Sequence, residues 1–533
     1  MAADHQRVAR AAGLIALLTL LSRILGFVRE SLAGRLFSRF ETDAYFAAFA
    51  VPDFMYYLLV GGALSAAFIP VFTEYLAKGA EEEGWRAAGT FINCAVALLI
   101  ILAALGMIFA GPIGRIEAPL FRGDKLLLVS RLTRIMFTSV AMLAVAGLLS
   151  GVLYSYQSFL TPALGPVVYN VGIIAGAVLL GRRFGIKGMA AGVVAGAAAS
   201  LALQVWSVFR RQPPYRPFFV DLRHPGFRKI LRLLVPALIG LSATQLNILF
   251  TNMMASGLPE GSISALRFAN RLIQLPLGIF AAAIGTAFFP AMARAVAEQR
   301  MEAYRETFSL GLRTILFITV PSAVGLVVLR YPIIRLLFEG QLFSAHDTDL
   351  TAYALLFYSL GLFAHAAILM LPRAFYSLQD TRTPVIVSVG AVAFSLLLNL
   401  VFLRFTRLGH GGLALSFSLM GLLNMGALLH LLGRKVHGLG GRAILRTFGR
   451  SVLSSTIMGA GVYAVNLLLA RLPVLASRPP AFAAAAQVAA GMGAGLVLYA
   501  AAAYFFKMEE MYLLLGLIKR RLSRVRTSPE GAS

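Results

Sequence analysis

Two arginines stand inside a run that otherwise reads as a membrane-spanning helix, "LTLLSRILGFVRE" at residues 18–30. A guanidinium at the centre of a lipid-exposed helix costs about 2.5–3.5 kcal/mol on insertion scales, so Arg23 and Arg29 need a reason to be there. At helical spacing Ser22, Gly26 and Arg29 share one face, and Arg23, Gly26 and Glu30 run beside it as one polar stripe. A second stripe lies in "LRFANRLIQLP", where Arg267, Asn270, Arg271 and Gln274 fall at i, i+3, i+4 and i+7. A planar guanidinium donates two parallel hydrogen bonds and keeps its charge at any relevant pH, which suits phosphate. Cations outnumber the nearby carboxylates, so these stripes leave positive charge for an anionic ligand in a water-filled cavity. The competing use is structural: Glu30 could neutralise Arg23, and Asp43 of "ETDAYFAAFAVPD" could neutralise Arg29. Arg131, Arg134, Arg267 and Arg313 lie near span ends, where snorkelling to the interface serves them.

No other chemistry stands out. His365 is isolated in an apolar run, which fits a packed core histidine, and no zinc-protease, serine-hydrolase or phosphate-loop motif is present. The single cysteine, Cys94, permits no intramolecular disulfide. The loops on the outer side are short, leaving no room for a catalytic domain.

The elements that must position the arginines follow from composition. Of 533 residues, 59% are hydrophobic and 13% charged, with mean hydropathy +0.79. A soluble domain is about 45–50% apolar and about 25% charged, so the excess apolar surface requires lipid. The first span carries arginines and lacks a small-residue cleavage site after it, so it reads as a retained helix. Fourteen apolar windows can be placed, near residues 9–37, 43–77, 87–113, 126–154, 162–180, 186–209, 230–255, 262–293, 306–329, 350–378, 384–403, 410–433, 447–470 and 482–506. The fold class is therefore an all-α polytopic membrane protein. The net charge of +25 finds no soluble segment long enough to bind nucleic acid; it points to anionic lipid headgroups or an anionic substrate. With the N-terminus inside, cytoplasmic ends and loops hold 27 of the 48 basic residues, seven of them at 210–232. The positive-inside rule then places both termini in the cytoplasm. The stretch at 507–533 reads as an amphipathic tail along the inner surface.

The chain also repeats itself. "LYSYQSFLTP" at 153–162 aligns with "FYSLQDTRTP" at 375–384, offset 222; "SAAFIP" at 65–70 with "GTAFFP" at 285–290, offset 220; and "GIKGMA" at 185–190 with "GHGGLA" at 409–414, offset 224. Six helices per offset is an even number, so the halves share a topology and form a parallel pseudo-repeat, as in transporters that rock two lobes around a central site. The expected division is an N-lobe at 1–210, a cytoplasmic linker at 211–229 and a C-lobe at 230–434. The last two helices, 435–506, fall outside the repeat.

The motifs "SRILGFVRE", "TDAYFAAFAVPDF", "GALSAAFIPVFTEY", "RFANRLIQLPLGIFAAAIGTAFFP" and "FYSLQDTRTPV" resemble the MurJ/MviN family of lipid II flippases, within the multidrug/oligosaccharidyl-lipid/polysaccharide exporter superfamily. The resemblance covers essentially the whole chain. It implies two six-helix lobes around a cationic cavity, with the two C-terminal helices lining a groove for the polyprenyl tail. The implied substrate is undecaprenyl-pyrophosphate bearing the peptidoglycan disaccharide–peptide, moved between leaflets by a transporter and not an enzyme. Arg23, Arg29, Asp43 and Arg271 fall on the family's functional positions. Tyr56 and Tyr57 stand where many members carry an arginine pair, and Gly61 replaces a glutamate; a tyrosine hydroxyl still reaches phosphate or sugar, without charge. The resemblance also suggests a coupling cation, Na+ or H+, with Asp380 as a ligand beside the helix-7 amides Gln245 and Asn247. A monomer is expected, in association with cell-wall synthesis proteins. The competing functions are a flippase for another polyprenyl-linked oligosaccharide, a cation-coupled drug exporter, which should carry cavity carboxylates and few arginines, and a regulatory scaffold without transport.

Overall fold

The computed structural model describes residues 2–57, 67–473, 477 and 479–512, and contains no strand among them. Contacts divide the chain into two compact units, residues 1–264 with 340–347, and residues 265–339 with 348–533.

The first unit runs through α1 (Ala2–Leu36), α2 (Arg39–Ala48), α3 (Ala50–Tyr56), α4 (Ile69–Ala77), α5 (Glu81–Ile108), α6 (Ala110–Glu117), α7 (Gly123–Ser155), α8 (Leu160–Ala175, continued by a π-helical turn over Gly176–Leu180), α9 (Gly181–Phe184), α10 (Ile186–Phe209) and α11 (Pro225–Ala255). Its core gathers Phe68, Phe72, Trp85, Phe91, Leu153 and Phe227, and the Trp85 indole N–H donates to the Tyr156 hydroxyl at 2.8 Å. The expected C-lobe begins at residue 230, but the contacts keep α11 with the first unit. Phe227 and Ile230 bury into that core, Lys229 pairs with Glu74 at 2.6 Å, and α11 packs on α3, α4, α5 and α6.

α8 and α10 meet through glycine. A Cβ at Gly176 would stand 2.4 Å from the Gly192 Cα, and one at Gly172 would stand 2.4 Å from the Gly196 Cα. Between apolar helices in lipid, such backbone contact replaces the hydrophobic drive that water supplies elsewhere.

The second unit takes in α12 (Ser262–Pro276, which begins in the first), a π-helical turn at Leu277–Ala281, α13 (Ala282–Ala297), α14 (Met301–Val328), α15 (Arg330–Phe338), α16 (Ala345–Leu360), α17 (Leu362–Ile368), α18 (Leu371–Ser377), α19 (Arg382–Phe405), α20 (His410–Lys435), α21 (Gly441–Ala470) and α22 (Pro480–Phe505). α21 and α22 pack on each other and on α14 and α15 around Phe317, Leu329, Met458, Val462 and Tyr499. Arg313, expected to snorkel, instead ties α14 to the chain beyond α22. It pairs with Glu509 and, at 2.6 Å, with Glu510, and Glu510 also accepts from Thr447 of α21 at 2.9 Å. His365 is the core histidine the sequence suggests, stacked on Phe417 at 3.9 Å with its Nε2 2.9 Å from the Phe417 carbonyl.

Among the described residues ten helices are long and apolar enough to cross a membrane, or eleven when the pair Ala345–Leu360 and Leu362–Ser377, bent by 52°, counts as one span. Fourteen windows were expected. Of the remaining three, the window at 9–37 carries Arg23, Arg29 and Glu30 within α1, that at 43–77 is interrupted at Phe49 between α2 and α3 and includes undescribed residues, and that at 230–255 is the continuous α11. Residues 58–66, with Gly61, and 513–533, most of the expected amphipathic tail, lie outside the described residues.

The repeat is written in the backbone. Gln157 and Gln379 both take a left-handed φ, 56° and 60°, and close equivalent turns: Ser158 N–H to the Leu153 carbonyl at 2.8 Å, Asp380 N–H to the Phe375 carbonyl at 3.0 Å. Gly185 (φ 60°, ψ −147°) and Gly409 (φ 55°, ψ −132°) precede α10 and α20 in a conformation essentially reserved for glycine.

Adding one methyl at the α8–α10 contact gives a direct test of that packing. Gly176→Ala should cost about 1–3 kcal/mol by overpacking, read as a lower melting temperature in detergent. Gly390→Ala, with open space around its Cβ position, should leave the melting temperature nearly unchanged.

Candidate functional site: the polar stripes of α1 and α12

α1 places its polar residues as the spacing requires. Gly26 is buried, Ser22 and Arg29 are half-buried, and Arg23 is exposed. Gly26, lacking a side chain, leaves the middle of the stripe low. Arg29 donates to Glu30 Oε1 at 2.8 Å and to Asn170 Oδ1 of α8 at 3.3 Å. The Asn170 amide donates in turn to the Ser22 carbonyl and hydroxyl at 3.3 and 3.4 Å, and to the Pro166 carbonyl at 2.9 Å. Glu30 is 2% exposed, so its charge is buried together with its partner. Arg23 has no side-chain hydrogen bond or ion pair among the described residues. The expected surplus of cation over carboxylate thus resolves into one braced and one unengaged guanidinium, and Glu30 serves Arg29 and not Arg23.

Asp43 departs from the expectation. It does not meet Arg29. Buried at 1% exposure, it accepts from Lys125 Nζ at 2.9 Å, Gly261 N–H at 2.7 Å, and the N–H and hydroxyl of Ser264 at 2.8 and 2.7 Å. The carboxylate therefore holds the first turn of α12. Two buried backbone N–H groups of a helix start would otherwise lack acceptors, and the helix dipole favours a negative charge there. α2 is itself fixed by a capping box between Ser38 and Glu41, and Glu41 Oε1 also accepts from Ile186 N–H at 3.2 Å.

α12 shows the amphipathic pattern read from its sequence. Leu266, Ala269, Leu272 and Ile273 are buried, Arg267, Asn270 and Arg271 are half-buried, and Gln274 is exposed. Arg267 and Arg271 both engage neighbouring groups. Tyr56 closes α3, half-buried, and Tyr57 follows it exposed.

Asp380 lies between spans and is already occupied. It accepts from Lys435 Nζ at 2.7 Å and from the Thr383 hydroxyl and N–H at 2.8 and 3.0 Å. The Lys435 ammonium, followed by the Thr383 hydrogen bonds, holds its carboxyl down at about 2. A sodium ion would have to displace that lysine, so the donor set fits a helix cap and ion pair, not a cation cage. No cluster of three or more His, Cys, Asp or Glu suited to a metal occurs among the described residues.

Three partners escaped the sequence reading. Asn170 had a signal, a lone amide in an apolar run. Ser264 had a weak one, a hydroxyl at a helix start. Lys125 had none, since it reads as an ordinary loop charge.

An all-helical chain with many apolar spans and guanidinium stripes on two of its helices belongs to the class of multi-span membrane transporters. Its fold matches a solved structure described as the inward-facing conformation of a multidrug resistance MATE family transporter, with TM-score 0.67 and 14% identity over 81% of this chain and 99% of that one. A solved structure of the lipid II flippase MurJ in an inward closed conformation matches with TM-score 0.77 and 26% identity over 93% and 99%. The family described as Lipid II flippase MurJ matches residues 32–479. The probable lipid II flippase MurJ of Vibrio cholerae is 32% identical, covering 80% of this chain and 84% of that protein; that of Rhizobium tropici is 32% identical, covering 96% of each. The chain belongs to the lipid II flippase MurJ family. It is a multi-pass inner-membrane protein, a transporter of lipid II and not an enzyme.

The Asp43 cluster is testable apart from transport. Lys125→Met leaves a buried carboxylate without its cation, a loss that costs about 3–5 kcal/mol in such pairs and should appear as a large fall in melting temperature. Lys125→Arg, which restores the charge, should recover much of it. Equal melting temperatures for Lys125→Met and wild type would show that the ion pair is not what anchors α12.

Proposed function

We propose that lipid II crosses the membrane by alternating access, with its pyrophosphate held by Arg23, Arg29 and Arg271. The observation that carries this reading is the pair on α1: Arg29 braced by Glu30 and Asn170, and Arg23 exposed without a protein partner among the described residues. A braced guanidinium has already lost its rotamer freedom, so an anion it meets does not bear that cost again. A free one a turn and a half away can complete a second set of hydrogen bonds on the neighbouring phosphate. Ser22, Asn270, Gln274 and Tyr56 supply neutral donors for the sugar and phosphate oxygens. Gly26 gives the stripe a small, buried centre, and Glu30 orients Arg29. Asp43 acts at one remove, by fixing the start of the helix that carries Arg271.

The moving bodies are the two lobes of the repeat. The lipid tail stays in the bilayer, along a groove at α21 and α22, because transfer to water costs about 0.8 kcal/mol per CH₂. The basic loop at 210–232 rests on anionic headgroups and both termini lie in the cytoplasm, as the loop charges favour. The protein works as a monomer that meets cell-wall synthesis proteins at the membrane. A cation, Na+ or H+, or the membrane potential at about 2.3 kcal/mol per charge per 100 mV, resets the empty cationic lobes.

In proteoliposomes, Arg23→Ala, Arg29→Ala and Arg271→Ala should each lower the lipid II translocation rate by about 10-fold or more, the loss of about 1.5 kcal/mol or more from one charged hydrogen bond, at unchanged protein level. Arg131→Ala, on an exposed position, should retain the wild-type rate. Faster movement of another polyprenyl-linked oligosaccharide than of lipid II would reject the substrate, and equal rates with and without an imposed potential would reject that driving force.

A further inference from the structure

Glu117 is a carboxylate that the cationic stripes do not use. It ends α6 at 0% exposure, and its oxygens meet two neutral donors: the Val51 N–H on Oε1 at 3.1 Å and the Thr133 hydroxyl on Oε2 at 2.7 Å. Among the described residues it has no ion pair.

The site is built by a broken helix. α2 stops at Ala48 and α3 starts at Ala50, with Phe49 as the joint. Pro52, which follows Val51, has no N–H to give. The Val51 N–H goes across to α6, so Glu117 stitches the joint to α6 and, through Thr133, to α7.

The charged groups on every element packed against α6 are otherwise engaged or exposed. On α7, Lys125 is bound to Asp43, Arg134 donates to the Met107 carbonyl, and Asp124 and Arg131 are exposed. On α2, Asp43 and Glu41 have the partners described above, and Arg39 pairs with Glu260 at 3.3 Å. α3 carries Asp53, itself engaged, and the half-buried Tyr56. Arg115 of α6 is exposed. The halves of α5 and α11 beyond Cys94 and Gln245 hold no ionisable group apart from Cys94.

The second copy of the repeat carries no carboxylate at this position. α6 and α15 are the same element at offset 220: Phe109 N–H bonds the Leu105 carbonyl and Leu329 N–H the Gly325 carbonyl, both at 2.8 Å, and "PIGRIE" at 112–117 aligns with "PIIRLL" at 332–337. Leu337 stands where Glu117 stands.

We propose that Glu117 is a proton-binding site of the first unit and that proton binding there is coupled to lipid translocation. This rests on the transporter reading above. In the step itself, hydronium gives a proton to Glu117 Oε2, leaving water, and the acid O–H donates to the Thr133 hydroxyl, which turns from donor to acceptor. Emptying the site reverses both. Burial, opposed by the Thr133 and Val51 hydrogen bonds, raises the carboxyl to about 8, so the site fills and empties near neutral pH.

The folded-state value lies above the ordinary 4.5. The stability contributed by the protonated form is therefore complete below about pH 4.5 and is lost as pH rises through about 8. The experiment uses the full chain, wild type and Glu117→Gln, at equal pH on both sides of lipid II-loaded proteoliposomes, with melting temperatures taken in parallel. The wild-type translocation rate should change several-fold between about pH 6 and about pH 9, and Glu117→Gln should be flat. The melting temperature of wild type relative to Glu117→Gln should fall over the same range. Thr133→Val, which removes a donor to the charged form, should move the wild-type midpoint to higher pH. A Glu117→Gln rate that keeps the wild-type pH profile, a flat wild-type profile, or a Thr133→Val midpoint that does not move would overturn the proposal. Wild-type protein that moves no lipid II at any pH would instead overturn the transport reading, while the melting comparison would still decide whether Glu117 takes the proton.

Discussion

A guanidinium shielded from water within an apolar span can stay there only if the protein supplies the hydrogen bonds that water would have made. Arg29 meets that requirement with a carboxylate on its own helix and an amide from α8, and much of the first unit follows from how they are held. Asn170 must present its oxygen to Arg29 while its nitrogen reaches Ser22 and Pro166. That fixes the rotation of α8 against α1. The rotation in turn sets which edge of α8 faces α10, and that edge is the glycine ridge of Gly172 and Gly176. Polar satisfaction on one side of α8 and close backbone approach on the other are two faces of one placement.

Asp43 answers the same constraint with the opposite sign of charge. A buried carboxylate without partners would neutralise itself by binding a proton; this one has a lysine, two backbone N–H groups and a hydroxyl. Since the donors come from the first turn of α12, the carboxylate sets where that helix begins. A helix start fixes the angular position of everything after it, at 3.6 residues per turn. The first turn of α12 is thus held by a residue more than two hundred positions earlier in the chain.

This explains what the sequence could and could not disclose. Helical spacing placed Ser22, Gly26 and Arg29 on one face and sorted α12 into buried and polar sides, because those relations are local. The turns at Gln157 and Gln379 and the glycines at 185 and 409 were visible as paired motifs, since the backbone demands them twice. The partners of the charges were not visible. Asn170 lies 141 residues from Arg29 and Lys125 lies 82 from Asp43, and a carboxylate that could serve either Arg29 or a helix start offers no local sign of which. Asp380 is a like case: its lysine partner is 55 residues away, and no local feature of the sequence points to it.

The repeat sharpens the point, because its two copies share a scaffold and differ in chemistry. At offset 220, Arg23 and Arg29 fall on Ala243 and Leu249, while Arg267 and Arg271 fall on Ala47 and Val51. One copy puts its cations on the first helix of the pattern, and the other puts them on the second. The glutamate at 117 has leucine as its counterpart, and the Lys125 that neutralises Asp43 is matched by Ala345. What both copies keep is backbone: the left-handed glutamines and the reserved glycines. Helix geometry is therefore the inherited frame. Charge differs between the halves, and where it is buried, as at Arg29 with Glu30 and Asp43 with Lys125, a partner holds it.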